Sequence, residues 1–129
     1  MWTEALDPNQ PTLWVDVQLT GPLGSSSFTF LIDTGSPVTI IDPDVIHDLG
    51  YEARMGGRIH RLWAIKGGTP SFDIAIAELT TMGFSLNDQV VFCEEMPRHL
   101  AVDGIIGMDL LRGHVLTIDL VAGSLTVDA

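Results

Sequence analysis

The segment Phe28-Thr29-Phe30-Leu31-Ile32 is apolar and β-prone, and it runs without a break into Asp33-Thr34-Gly35-Ser36. A carboxylate placed directly behind such a strand is drawn into apolar surroundings, and burying an ionised group without partners is costly. The next residues supply partners: glycine lets backbone amides come close, and a threonine hydroxyl hydrogen-bonds across a tight turn. Beyond Gly35, Val38-Thr39-Ile40-Ile41 is β-branched throughout and reads as another strand. Asp33 is therefore expected in a rigid turn between two strands, so the fold must bring strand ends together around a loop.

The remaining pattern is one of short strands and turns. Leu13 to Leu19 alternates apolar and polar side chains, and Gly21 to Ser26 offers turn chemistry before a strand at Ser27 to Ile32, predicting a hairpin. Asp42-Pro43 supplies an N-cap and an N1 proline for a short helix reaching Leu49, stopped by Gly50. An irregular strand is expected over Arg58 to Ile65, flanked by Gly56-Gly57 and Gly67-Gly68 as a mobile hairpin, and further strands over Ile74 to Leu79 and Gln89 to Cys93 around a turn at Met82-Gly83-Phe84. Glu94 to His99 reads as a solvated loop, Asp103-Gly104 as a tight turn before Ile105-Ile106, and Asp109 to Arg112 as one helical turn ended by Gly113. Val115 to Val127 closes the chain as a hairpin around Ala122-Gly123-Ser124. The expected class is mainly β, in one domain over residues 1–129, a length that suits a single core.

Charge and composition exclude several functions. A net charge of -11 opposes binding to nucleic acid and to anionic membranes, which attract Lys and Arg. With 46% apolar residues the chain can build a packed core. No apolar run approaches the ~20 residues needed to span a bilayer, and Met1 to Asp7 lacks a basic, apolar leader, so a cytoplasmic protein is expected. The lone Cys93, beside Val90-Val91-Phe92, reads as a small buried hydrophobe. His47, His60, His99 and His114 lack metal-site spacing, and neither metal nor cofactor is expected.

Asp33-Thr34-Gly35-Ser36, followed by Asp103-Gly104-Ile105-Ile106-Gly107-Met108-Asp109-Leu110-Leu111, resembles the retroviral-type aspartic peptidases, especially their prokaryotic relatives. Asp-Thr-Gly alone is a weak signal; the flanking strands and the second apolar-apolar-Gly-x-x-Leu-Leu element make it specific, and the resemblance spans nearly the whole chain. It implies a retropepsin-like closed barrel with one or two short helices and a flap hairpin. It also implies an aspartic endopeptidase, acting on peptides or proteins, that holds a water between two aspartates.

The chain carries only one Asp-Thr-Gly, so the simplest completion is a homodimer in which Asp33 meets its twin. By resemblance, the catalytic set is Asp33, Thr34 and Gly35, with Thr34 bonding across the dimer axis and Gly35 offering a carbonyl to substrate. Ser36 is expected to donate to the outer oxygen of Asp33, favouring its ionised form and activity at acidic pH. The flap is expected at Trp63 to Thr69, with Trp63, Ile65, Gly67 and Gly68 on the substrate beside Gly35 and Ser36; Gly56-Gly57 is the competing tip. Viral members carry further acidic residues after the triplet and an arginine in the later helix, where Pro37-Val38 and Met108 stand here, so peptide recognition must differ. Asp109 is expected to favour a helix N-terminus rather than to catalyse. The rival from another class is a binding or dimerisation module of the same fold that has lost proteolysis; a purely structural barrel ranks last.

Overall fold

The computed structural model describes residues 1–52, 59–60 and 71–129, and ten strands and two short α-helices lie in that part of the chain. The expected flap, Trp63 to Thr69, and its competitor Gly56-Gly57 lie outside the described residues.

Strands β2 (Trp14–Gly21) and β3 (Gly24–Ile32) form the first hairpin. It is tighter than the sequence suggests, because the serines at 25–27 join the strand and Thr20 Oγ1 bonds Ser25 Oγ at 2.6 Å. On β2, Val15, Val17 and Leu19 are buried while Asp16 and Gln18 are exposed, so the period-two pattern fixes which face meets the core. Helix α1 (Pro43–Asp48) starts as expected: Asp42 caps it by accepting from Asp44 N, Pro43 opens it, and Gly50 leaves it at φ +89°.

Strands β6 (Ser71–Thr81) and β7 (Phe84–Cys93) are each longer than expected, because Met82 (φ 48°) and Gly83 (φ 82°) turn the chain in two residues, both left-handed. Such turns match the twist of a hairpin and let pairing run up to the corner. The short β5 (Ile59–His60) lies along β6.

Two remaining strands position the site. Strand β4 (Ile40–Ile41) and β8 (Gly104–Ile106) are short, and β8 lies between β3 and β4, parallel to the first and antiparallel to the second. With β4 beside β7 and β2 beside β6, the order β2-β3-β8-β4-β7-β6 returns to β2 and closes a six-strand barrel. Closure leaves these strands no free edge. Helix α2 (Met108–Leu111) follows β8 at once. A separate sheet in the order β1-β10-β9 combines β1 (Trp2–Ala5), β10 (Ser124–Asp128) and β9 (Val115–Asp119). Pairing of β1 with β10 joins the two ends of the sequence, which no local pattern announces.

The core fills the barrel with Phe30, Ile32, Ile41, Ile76, Leu79, Val91 and Ile106, sealed by Leu125 and Val127 from the terminal sheet. Cys93 belongs to this core and is 1% exposed; burial and the nearby Asp42 carboxylate push its thiol up to about 12. At neutral pH almost no thiolate exists to react. Native protein is therefore expected to show no labelling by a thiol reagent over an hour and one equivalent after denaturation; rapid labelling of the native form would contradict the packing.

Candidate active site

Asp33 stands at the end of β3, half-buried, where β3 and β8 finish side by side and Asp33 N donates to Ile106 O at 2.9 Å. Thr34 and Gly35 form the corner of a turn closed by Ser36 N on Asp33 O at 3.1 Å. The Gly35 N–H donates to Asp33 Oδ1 at 2.8 Å. A Cβ on Gly35 would lie 3.1 Å from that same oxygen, so glycine is what permits the close approach. Among the described residues, Asp33 Oδ2 accepts no hydrogen bond, and the exposed Thr34 hydroxyl makes none. One carboxylate oxygen is thus held by backbone, and the other has no hydrogen-bond partner among the described residues.

The loop from Asp33 to Thr39 must cross the end of β8 to pass from β3 to β4, and the crossing is tied down at several points. Met108 N donates to Ser36 O at 2.8 Å. The fully buried Thr39 donates from Oγ1 to Asp109 Oδ1 at 2.7 Å and from N to Asp109 Oδ2 at 3.0 Å. Thr39 Oγ1 in turn accepts from Gly107 N at 3.1 Å. Asp109 also takes the Leu110 N–H at 2.8 Å, so it serves the first turn of α2 as expected and anchors the active-site loop as well. At Gly107, a Cβ would fall on Val38 O, lie 2.5 Å from the Val38 carbonyl carbon and 2.9 Å from Ser36 O. The loop can cross β8 only over a glycine.

Two expectations are corrected here. Ser36 Oγ donates its proton to Val38 O at 2.7 Å rather than to Asp33, because the turn carries the hydroxyl toward the chain ahead of it. The strand expected from Val38 shrinks to Ile40–Ile41, since Val38 O is taken by Ser36 and Thr39 N by Asp109 instead of by neighbouring strands.

Residues flanking Asp33 are clamped on both faces. Ile32 and Ile106 point into the barrel, while Leu31 and Ile105 point out and pack with Met96, Val102, Ile40, Leu100 and Trp14. Glu94 to His99 is thus more than a solvated loop: Met96 is buried, with its N–H on Asp42 Oδ2 at 3.0 Å. Asp103 stands apart from Asp33. Its Oδ2 accepts from Thr29 N at 3.0 Å, and the register places it beside Thr29, about 13 Å along β3 from Asp33 at roughly 3.3 Å per residue.

Thr39 and Asp109 are the site residues that the sequence pattern under-reads. Both stand as single polar residues inside apolar runs, and a buried polar group needs a partner; that was the available signal. Trp63, Ile65, Gly67 and Gly68, the expected flap contacts, lie outside the described residues.

A family model described as aspartyl protease matches residues 15–110, and the chain belongs to that family. Its fold is similar to that of a retropepsin-like aspartic protease from Rickettsia conorii, with TM-score 0.66 and 13% identity over 98% of this chain and 91% of that one. It is also similar to the retroviral protease-like domain of Ddi1 from Leishmania major, with TM-score 0.59 and 22% identity over 93% and 90% of the two chains. The EIAV protease complexed with the inhibitor HBY-793 matches with TM-score 0.53 and 18% identity over 81% and 86%. At these identities the likenesses show the fold, a retropepsin-like closed barrel. No curated protein matches the chain in sequence.

Proposed function

We propose that this chain is an aspartic endopeptidase, hydrolysing peptide bonds with a water held between Asp33 of two identical subunits. The observation that carries the proposal is the state of Asp33: Oδ1 is fixed by the Gly35 N–H, and Oδ2 accepts nothing among the described residues. A carboxylate pinned on one side and open on the other is preorganised for a reacting water, and the tied loop spares it reorganisation during the reaction.

Two facing carboxylates share one proton, because like charges a few Å apart do not both ionise readily. The ionised member takes a proton from the water as its oxygen attacks the peptide carbonyl, and the protonated member gives its proton to the carbonyl oxygen. A tetrahedral diol results, and it collapses as the newly protonated acid gives its proton to the amide nitrogen and the ionised acid takes one from a diol hydroxyl, so that the C–N bond breaks, the amine leaves and a carboxylic acid remains. The dyad ends as it began, with one proton between two acids. Thr34, exposed at the corner of the turn, has its hydroxyl available for the partner's loop across the axis, and the next residue, the exposed Gly35, offers its carbonyl as a candidate acceptor for substrate backbone. The flap role falls to Trp63 to Thr69.

Because Ser36 is committed to Val38, the acidic optimum rests on the shared proton alone. Activity is present while the dyad keeps that proton and is lost at higher pH, where both carboxylates are ionised and none is left to protonate the carbonyl oxygen. Incubation with denatured protein between about pH 3 and about pH 8 is expected to show maximal cleavage below neutrality. A maximum at or above neutrality contradicts the shared-proton reading. Absence of cleavage there and across a peptide library would point to the non-proteolytic module.

A further inference from the structure

Beside α1 lies a cleft of about 520 Å³, within the ~300–1,000 Å³ range of ligand sites. Three separate segments build it: α1 with its cap, the stretch 95–98 after β7, and β3 with residues 102–103 next to it. Its floor is apolar, lined by Phe28, Val45, Met96 and Val102. Phe28 precedes Asp33 by five residues, about 16 Å along β3 at roughly 3.3 Å per residue, so the cleft stands apart from the catalytic carboxylate. Two hydrogen bonds fix its walls: Asp42 Oδ2 accepts from Met96 N at 3.0 Å, and Asp103 Oδ2 accepts from Thr29 N at 3.0 Å. The cleft is preformed, which lowers the ordering cost of binding.

The rim has the opposite chemistry. Asp44, Asp48 and Glu95 are exposed carboxylates on the lining, and among the described residues their side chains make no hydrogen bond or ion pair. With Asp42 and Asp103 they set five carboxylates against one cation, Arg98, which likewise has no ion pair among the described residues. Charges of one sign around an apolar floor focus their field into the cleft.

We infer that this cleft docks a basic, leucine-bearing segment of another protein. The two halves of the site choose the occupant together. Carboxylates alone would suit any cation, but a metal ion leaves the apolar floor uncovered. The floor alone would suit any hydrophobic peptide, but a neutral or acidic one leaves the carboxylates unmatched. A lysine- or arginine-rich stretch answers both, because its methylene stems and leucine side chains cover the floor while its charged heads reach the rim. Docking involves no contact with Asp33 and goes beyond the proteolytic reading.

Fluorescence anisotropy of a labelled peptide made of lysine, leucine and glycine tests this apart from catalysis. The wild-type chain is expected to bind it saturably and tighter than ~0.5 mM at about 0.15 M salt. Replacing the leucines by glycine should weaken binding at least ~5-fold. Asp48→Lys and Glu95→Lys should each weaken it at least ~5-fold. A lysine at position 48 also suits the last turn of α1, so a loss there does not come from a damaged fold. Glu78→Lys, at an exposed position on β6 outside the cleft, makes the same change in net charge and should stay within ~2-fold. Arg98→Glu removes the one cation of the rim and should tighten binding ~3-fold or more, a gain that misfolding cannot produce. Binding weaker than ~0.5 mM, indifference to the leucines, equal weakening by Glu78→Lys and Asp48→Lys, or no gain from Arg98→Glu would each overturn the inference.

Discussion

Asp33→Asn is expected to lower the rate of peptide cleavage by roughly a thousand-fold or more while leaving the fold intact. Asparagine has the same shape, and its side-chain oxygen still accepts the Gly35 N–H now at 2.8 Å from Asp33 Oδ1. The half-buried position loses a charge without gaining a void, so thermal stability should move by only a degree or two. What disappears is the capacity to take a proton from water, which an amide lacks at any working pH. Cleavage of denatured protein and a thermal melt, measured on the same preparation, check both halves. Residual cleavage within tenfold of wild type would exclude Asp33 from the chemistry, and a collapsed melt would reassign it to structure.

The second large effect concerns a residue that touches no substrate. Gly107→Ala is expected to cost roughly 3–5 kcal/mol of stability, because the added methyl meets backbone atoms of Val38 and Ser36 rather than flexible side chains. Neither neighbour can yield cheaply: Ser36 O holds Met108 N at 2.8 Å, and Val38 O holds Ser36 Oγ at 2.7 Å. A melting temperature lower by about 10–20 °C is the expected reading for a chain of this size. Tolerance of alanine within ~1 kcal/mol would mean that the active-site loop does not cross β8 as described.

These two residues mark what sequence carries well and what it hides. Asp33, the hairpin before it and α1 are local: alternating apolar residues, turn glycines and the Asp42-Pro43 cap all act within a few positions, and each was legible. Long-range pairing is not written locally. β1 becomes a strand only because β10 lies beside it, and Trp2 to Ala5 carries little pattern of its own. The insertion of β8 between β3 and β4 likewise leaves no periodic trace, although it decides that Asp33 and Gly107 are neighbours.

Ser36 departs from its expected role for a related reason. A hydroxyl near a carboxylate in sequence looks like its partner, but the turn at Thr34-Gly35 rotates it away to Val38 O. Thr39 and Asp109 were under-read in the opposite sense. Each looked like an element residue, strand in one case and helix start in the other, and their contact across 70 positions is what locks the loop. The polar segment after β7 followed the same pattern: Met96 and Leu100 sit among charged neighbours in sequence, yet they turn inward under Leu31 and Ile105.

The twofold active site is open to one direct measurement: wild-type chain is held constant, Asp33→Asn chain is added in increasing amount, subunits are allowed to exchange, and cleavage is followed. If each site needs Asp33 from both chains, mixed dimers are silent, and activity falls to about half at equal amounts and toward zero in excess. Cleavage that stays proportional to the wild-type chain present, whatever the excess of Asp33→Asn, would show that one chain suffices and would contradict the shared dyad.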